Sequence, residues 1–206
     1  MSNFIHVGSH FTVGPSWENF DASPTLRFEK IPVIGKLYTK NERRFPEQVK
    51  YGNIVKSTLC PPGTAEAVFA SHMVEHASLS DFRTVLKHVH TMLKSGGCFR
   101  LVTPDLQIMI EKYVNSTDPL RGHTFIQESC MGVEEPDSRL TSRIRRVLGF
   151  AHHYWLFDEQ SMRIELEQAG FTGIRRYHYG DSDIPEFAEI EDEGQFTGNL
   201  AMECFR

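Results

Sequence analysis

The segment from Ala65 to Thr103 constrains the fold most, because its apolar pattern changes twice. Ala65–Ala70 is a short continuous apolar run and Cys98–Thr103 is another, as is typical of buried strands. Between them, Leu79–Leu93 has apolar residues three and four positions apart, which predicts an amphipathic helix capped by Ser80. A strand, a helix and a strand in this order predict parallel strands joined by a crossover helix.

The same alternation extends over the rest of the chain. Further strands are predicted at 4–7, 18–20, 49–55, 172–179 and 200–205, and further helices at 105–114 and 159–169. These elements predict a Rossmann-like α/β fold with a mostly parallel sheet and helices on both faces. We expect residues 1–206 to form a single domain, with a long polar insertion at about 116–150.

Composition and charge narrow the classes of protein that fit. No apolar run is long enough to cross a bilayer, and the N-terminus lacks the pattern of a signal peptide. The net charge of -5 argues against general nucleic-acid binding, which requires a basic face. The four cysteines stand far apart without a Cys-x-x-Cys pair, so we expect reduced thiols and a cytoplasmic protein.

The first predicted strand, Phe4–Val7, ends on Gly8-Ser9-His10, and Asp21 follows about a dozen residues later. A strand, a small-residue turn and an acid in this order are typical of nucleotide-like cofactor sites. The ligand must approach the strand end closely, and its ribose hydroxyls need a carboxylate. His10 stands where a dinucleotide-binding loop requires glycine. A cofactor without a pyrophosphate therefore fits better than NAD, and S-adenosylmethionine is the obvious candidate.

Three longer phrases resemble one enzyme family. One phrase runs from His72 to Leu106 and reads HMVEHASLSDFRTVLKHVHTMLKSGGCFRLVTPDL. It resembles the region around the fourth and fifth strands of class I S-adenosylmethionine-dependent methyltransferases, in particular the small type-11-like enzymes encoded beside surface-polysaccharide genes. Flanking phrases of the same group resemble WENFDASPTLRFEKIPVIGKL and HHYWLFDEQSMRIELEQAGF. The resemblance implies a seven-stranded sheet whose last strand is antiparallel, with the cofactor at the carboxyl ends of the strands.

The resemblance also implies roles for single residues. Gly8 and Ser9 would lie behind the methionine moiety of the cofactor, and Asp21 would hold the ribose. Ser71 and His72 would stand where the fourth strand opens toward cofactor and acceptor, so His72 is a candidate for both cofactor binding and catalysis.

Two positions depart from the family pattern. His10 replaces the usual second glycine of the cofactor loop, and Asn53 replaces the acid that the group has near the adenine. Both are retained as candidate cofactor-binding residues. Because of these departures, a catalytically inactive, methyltransferase-like binding protein is kept as an alternative to an enzyme.

The residues from His72 to His76 also spell His-x-x-Glu-His, the signature of the inverzincin hydrolases. On a helix, His72 and His76 would share a face and could bind zinc, with Glu75 as a base. That arrangement needs a helix through all five residues, whereas the preceding residues are typical of a strand that runs into His72. We therefore expect no metal, and expect Glu75 and His76 to bond to backbone groups near the start of a helix.

The run His152-His153-Tyr154-Trp155 follows the polar insertion and precedes the helix that begins near Asp158. An imidazole can accept a hydroxyl proton near neutral pH, and aromatic rings can stack on an acceptor. We therefore predict His153 as the proton acceptor and His72 as the second candidate. The alternative for His153 is a histidine satisfied by its neighbours, beside a tryptophan that packs on the sheet.

A basic cluster, Arg139–Arg146, lies inside the insertion. It could bind a phosphate-bearing acceptor or an anionic membrane surface, or it could be the solvated face of a helix. Taken together, the sequence predicts a methyltransferase that uses S-adenosylmethionine and acts on a small acceptor. The resemblance suggests a sugar hydroxyl as the acceptor and leaves the oligomeric state open.

Overall fold

A computed structural model describes residues 3–33, 35, 43–132 and 152–206, which contain one seven-stranded sheet. The strands are β1 (Phe4–Val7), β2 (Trp17–Asp21), β3 (Val49–Tyr51), β4 (Ala65–Ser71), β5 (Leu93–Pro104), β6 (Thr172–Arg176) and β7 (Asn199–Phe205). Their order across the sheet is β3-β2-β1-β4-β5-β7-β6. Neighbours from β3 to β5 are parallel, and β7 is antiparallel to both β5 and β6. The predicted fold class is therefore confirmed.

Five α-helices lie in the described part of the chain. They are α1 (Pro24–Glu29), α2 (Leu79–Met92), α3 (Leu106–Asn115), α4 (Arg121–Glu128) and α5 (Glu159–Gln168). Helix α4 falls inside the predicted insertion, whereas the Arg139–Arg146 cluster lies outside the described residues. No helix within the described ranges is long and apolar enough to span a bilayer.

The boundaries of α2 differ from the predicted ones at both ends. Its N-cap is Ser78 and not Ser80, because the Ser78 hydroxyl accepts a hydrogen bond from the Asp81 N–H at 3.2 Å. The helix ends at Met92, and Leu93 is already extended and begins β5. Gly96 and Gly97, a residue type that is common after helix ends, therefore lie within the span of β5.

Both faces of the sheet are packed, as the alternation along each strand requires. On one face, Val68 of β4 and Phe99 of β5 join a core that also contains apolar residues of α2 and α5. On the opposite face, Phe69 of β4 packs in a second cluster with Tyr177 and Phe187, and the latter belongs to a 3₁₀ segment, Pro185–Glu189.

This second face also holds a buried arginine. Arg100 of β5 is completely buried and pairs with Glu203 of β7 at 2.6 Å and with Glu191 at 2.9 Å. Its guanidinium also pairs with Asp181 at 3.1 Å and lies 4.1 Å from the centre of the Tyr177 ring. The acidic stretch 180–194 is therefore not a purely solvated loop, since two of its carboxylates neutralise a charge inside the core.

Candidate active site

The carboxyl ends of the parallel strands meet at one edge of the sheet. Strand β1 lies between β2 and β4. The connection from β1 leads to β2 on one side of it, and the connection from β3 leads back past β1 to β4 on its other side. Open α/β sheets bind their ligands in the crevice that this switch creates. Because Val7 pairs with Ala70, the next residues along the two strands, Gly8 and Ser71, come to the same edge.

Gly8 begins the loop after β1 in a backbone conformation that favours glycine, with φ +70°. A Cβ atom at this position would lie 2.9 Å from Cγ of Met73. The sequence pattern indicates glycine at this position because the cofactor must approach the strand end closely. The structure adds a second reason, because the Met73 side chain already occupies the space that a larger residue would need.

Asp21 is the last residue of β2 and is buried, and the loop after β1 wraps around its carboxylate. Oδ2 accepts a hydrogen bond from the backbone N–H of His10 at 3.1 Å, and Oδ1 accepts one from the N–H of Ser23 at 2.6 Å. Each carboxylate oxygen can accept a further hydrogen bond, so the group is oriented and still able to receive ribose hydroxyls.

His10 contributes to this loop through its backbone. Its φ of +48° is unusual for a residue with a side chain, and it directs the N–H to Asp21. The imidazole packs instead against Phe11 and Phe45, with ring centres 4.0 Å and 5.5 Å away. Burial lowers the pKa of His10, and the Asp21 carboxylate opposes that shift.

Asn53 lies two residues beyond β3, at the same edge of the sheet. Its Oδ1 accepts a hydrogen bond from the Val55 N–H at 3.0 Å, so the side chain closes a local turn and ends the strand earlier than predicted. The predicted contact of Asn53 with the adenine stays a prediction.

Two buried hydroxyls at this edge have no hydrogen-bond partner among the described residues: Ser9 Oγ after β1 and Ser71 Oγ at the end of β4. Buried polar atoms are nearly always paired in folded proteins, because an unpaired one costs free energy. Together with the oriented carboxylate of Asp21, these hydroxyls form a polar, partly unsatisfied crevice. The donor set fits the ammonium, carboxylate and ribose groups of S-adenosylmethionine.

His72 follows β4 with φ +49° and lies beside the buried carboxylate of Glu75. His72 Nδ1 is 3.4 Å from Glu75 Oε1, and Thr103 donates a hydrogen bond to Glu75 Oε2 at 3.3 Å. Glu75 raises the pKa of His72 through this contact, against the opposing effect of burial. The pair therefore resembles an imidazole oriented by an acid, the arrangement used for proton transfer.

The chain returns to this edge after the insertion. Tyr154 donates its N–H to the backbone carbonyl of Glu75 at 2.8 Å, and Phe157 accepts from the N–H of Leu106 at 2.9 Å. These bonds bring His153 next to His76, with ring centres 5.0 Å apart. Burial lowers the pKa of His153, and its buried Nδ1 has no hydrogen-bond partner within the described ranges.

The helix that an inverzincin signature requires is not formed. His72 lies at the end of β4, Val74–His76 form a single 3₁₀ turn, and Ala77 is extended. His72 and His76 therefore do not share a helix face. The expectation that Glu75 and His76 bond to backbone groups is partly met, because His76 Nδ1 donates to the carbonyl oxygen of His152 at 3.0 Å.

Sequence reasoning missed two groups at this site. Thr103, near the end of β5, contacts the Glu75 carboxylate, and the Asn199 side chain at the start of β7 lies 3.5 Å from His72 Nε2. Position at the carboxyl end of β5 could have indicated Thr103. No local signal marks Asn199, since it reaches the site from the antiparallel strand.

Comparison with known proteins agrees with this geometry. Residues 9–175 match a family model described as a methyltransferase domain. The chain therefore belongs to the methyltransferase-domain family. No curated protein sequence shows a significant match to it.

Solved structures show the same fold at low sequence identity. The chain is similar to the S-adenosylmethionine-dependent methyltransferase SibL, with 16% identity and a TM-score of 0.51 over 98% of this chain and 50% of that one. An S-adenosylmethionine-dependent methyltransferase from Archaeoglobus fulgidus has 12% identity and a TM-score of 0.49, over 98% and 85% of the two chains. Human N-acetylserotonin methyltransferase has 13% identity and a TM-score of 0.47, over 98% and 47%.

Proposed function

We propose that this protein methylates a small acceptor in the crevice between the ends of β1 and β4. The observation that carries the proposal is the pair of buried, unpartnered hydroxyls of Ser9 and Ser71 beside the oriented carboxylate of Asp21. S-adenosylmethionine would supply the methyl group as an electrophile. Ser9 and Ser71 would bind the polar end of its methionine moiety. Asp21 would accept hydrogen bonds from its ribose hydroxyls.

The protein must also orient the acceptor and remove its proton. The contacts favour His72 as the proton acceptor over the other predicted residue, His153. His72 is the more exposed of the two, and Glu75 stabilises its protonated form. The side chain of Asn199 also lies near this imidazole, with Nδ2 3.5 Å from His72 Nε2.

The acceptor that we propose is a hydroxyl of a sugar, free or phosphate-bearing. Its support is the resemblance to type-11-like enzymes encoded beside surface-polysaccharide genes, together with a site rich in hydrogen-bonding groups and imidazoles. We also propose that residues 1–206 act as one methyltransferase domain, in which the insertion at about 116–150 contributes to the acceptor side.

Two successive measurements test the proposed function. Calorimetry with S-adenosylmethionine measures donor binding, with NAD as the control nucleotide. Transfer of a radiolabelled methyl group to a panel of monosaccharides, nucleotide sugars and simple phenols then measures catalysis. We expect saturable binding of S-adenosylmethionine, no binding of NAD, and transfer of the labelled methyl group to a sugar. Absence of binding at millimolar concentration would refute the methyltransferase proposal, and binding without transfer to the sugars would refute the acceptor class.

The role of His72 has its own test. With an acceptor from the panel, His72→Ala should lower turnover about 10²–10⁴-fold, the usual contribution of a positioned proton acceptor. Its affinity for S-adenosylmethionine should stay within about twofold of the parent. If His72→Ala turns over normally while His153→Ala does not, the proton acceptor is His153, as the sequence first indicated.

A further inference from the structure

A cluster of three possible metal ligands lies beside the proposed transfer site. One ligand atom from each of Glu75, His76 and His153 lies within 4.8 Å of the other two. The residues come from two distant parts of the chain, the 3₁₀ turn after β4 and the segment that returns after the insertion. We propose that these three side chains bind a divalent transition-metal ion.

His76 is already oriented as a metal ligand would be. Its Nδ1 lies 3.0 Å from the backbone carbonyl oxygen of His152, and a carbonyl oxygen can only accept a hydrogen bond. Nδ1 therefore carries the hydrogen, and Nε2 carries the lone pair that a cation needs. Metal-binding histidines commonly donate their second ring N–H to a carbonyl or carboxylate in this way, which fixes both tautomer and ring orientation.

The other two ligands contain buried atoms that lack hydrogen-bond partners. Glu75 is 1% exposed, and neither its Oε1 nor His153 Nδ1 has a hydrogen-bond partner in the described part of the chain. His72 Nδ1 lies 3.4 Å from Oε1. A cation at the centre of the cluster would satisfy both atoms and neutralise the buried carboxylate.

The donor set indicates which metals fit. Two imidazole nitrogens and one carboxylate oxygen suit Zn²⁺, Co²⁺, Mn²⁺ or Fe²⁺, whereas Mg²⁺ and Ca²⁺ prefer oxygen ligands throughout. Three protein ligands also leave coordination positions for water or for an oxygen of a bound molecule. The site differs from the inverzincin arrangement, because Glu75 is here a ligand and His72 is not one of the three.

The position of the cluster suggests its use, and this step rests on the proposed function. Glu75 lies 3.4 Å from His72 and also belongs to the cluster with His76 and His153, so the ion would lie near the proposed proton acceptor. A cation lowers the pKa of a hydroxyl that it binds. The ion would therefore position an acceptor hydroxyl beside His72.

Cobalt binding tests the site without any acceptor. The full chain is stripped with a chelator, and Co²⁺ is added while visible absorption and heat are recorded. We expect one ion per chain, with the absorption of an imidazole-ligated Co²⁺ and displacement by Zn²⁺. His153→Ala and His76→Ala should each weaken binding by about 100-fold or more, and His152→Ala, which keeps the neighbouring carbonyl, should bind like the parent.

The remaining outcomes keep the inference falsifiable. Glu75→Gln preserves side-chain volume and replaces the carboxylate, so it should also weaken Co²⁺ binding while circular dichroism shows a folded protein. Failure to bind Co²⁺ at millimolar concentration, or equal binding by the parent and by folded His153→Ala, would overturn the metal site. Because S-adenosylmethionine binding is measured separately without metal, that result would leave the donor site of the proposed function standing.

Discussion

Asp21 receives hydrogen bonds from the loop that precedes β2 and from the residues that follow β2. The N–H groups of His10 and Ser23 hold its two oxygens, so the carboxylate orients the loop as well as any ligand. The sequence indicated Asp21 by its position after a short strand. It could not indicate that His10 would take part through its backbone, because that role depends on a positive φ that few non-glycine residues adopt.

Replacement of Asp21 tests the donor site at this scale. Asp21→Ala should weaken binding of S-adenosylmethionine by about 1.5–3 kcal/mol, the range for hydrogen bonds to a charged group. Calorimetry measures the change, and Asp118→Ala, at an exposed position, serves as the matched control. A variant that binds as tightly as the parent would exclude Asp21 from the site.

Gly8 tests the backbone of the same loop. Gly8→Ala should lower the free energy of unfolding by about 1–3 kcal/mol, since it combines a strained φ with a short contact to Met73. Chemical denaturation measures this loss. The double variant with Met73→Ala removes the contact with Cγ but keeps the contact with Cβ at 3.0 Å and the strained φ, so it should recover only part of the stability. Full recovery would show that the backbone conformation costs nothing.

At the scale of elements, periodicity predicted the strands and most helices but not the geometry of the candidate site. Strand β1 and the apolar pattern of α2 follow directly from local sequence. The approach of His153 to Glu75 depends on backbone bonds between segments that are far apart in the chain, such as Tyr154 to Glu75. Such contacts are set by tertiary packing, which a single sequence does not encode in its local spacing.

The packing of α2 against α5 carries a pH-dependent contact. Arg83 of α2 donates two hydrogen bonds to the Glu165 carboxylate of α5, at 2.7 Å and 2.8 Å. These bonds lower the pKa of Glu165 below its ordinary value of 4.5. The pair therefore stabilises the fold above that ordinary value, and its contribution is lost as pH falls through the lowered pKa of the folded state.

A substitution isolates this contribution. Arg83→Gln should lower the melting temperature at pH 7 and have a smaller effect at the lowest pH at which both proteins stay folded, because protonation of Glu165 removes the ion pair. Thermal unfolding at the two pH values makes the comparison, with Arg27→Gln on α1 as a control on another helix. An equal loss at both pH values would mean that Arg83 acts through packing of its hydrocarbon stem and not through the ion pair.

In the whole molecule, the buried Arg100 joins parts of the chain that lie far apart in the sequence. It connects the central strand β5 to Glu203 of β7 and to the acidic segment that contains Glu191. Burial raises the pKa of Glu191, and the Arg100 guanidinium opposes that shift. The acidic composition of the segment suggested solvent exposure. An arginine within an apolar strand was the signal that this segment has an internal partner.

Removal of this charge should affect global stability. Arg100→Met should cost about 3–5 kcal/mol in the free energy of unfolding, because it leaves the buried carboxylate of Glu191 without its cation. Arg175→Met is the matched control, since Arg175 binds the same Glu203 and Asp181 from a half-exposed position and should cost no more than about 1 kcal/mol. Denaturant titration compares the two, and similar losses would contradict a special role for burial.

The packing of Met73 next to Gly8 links binding of the proposed methyl donor to binding of the proposed ion. Met73 touches the loop proposed for the methyl donor and is joined through the backbone to the turn that carries Glu75 and His76. Any ligand that shifts the loop must move the Met73 side chain, and so must any ion that shifts the turn. The two occupants then share one coupling free energy. Thermodynamic linkage requires that the donor change the affinity for the ion by the same factor by which the ion changes the affinity for the donor.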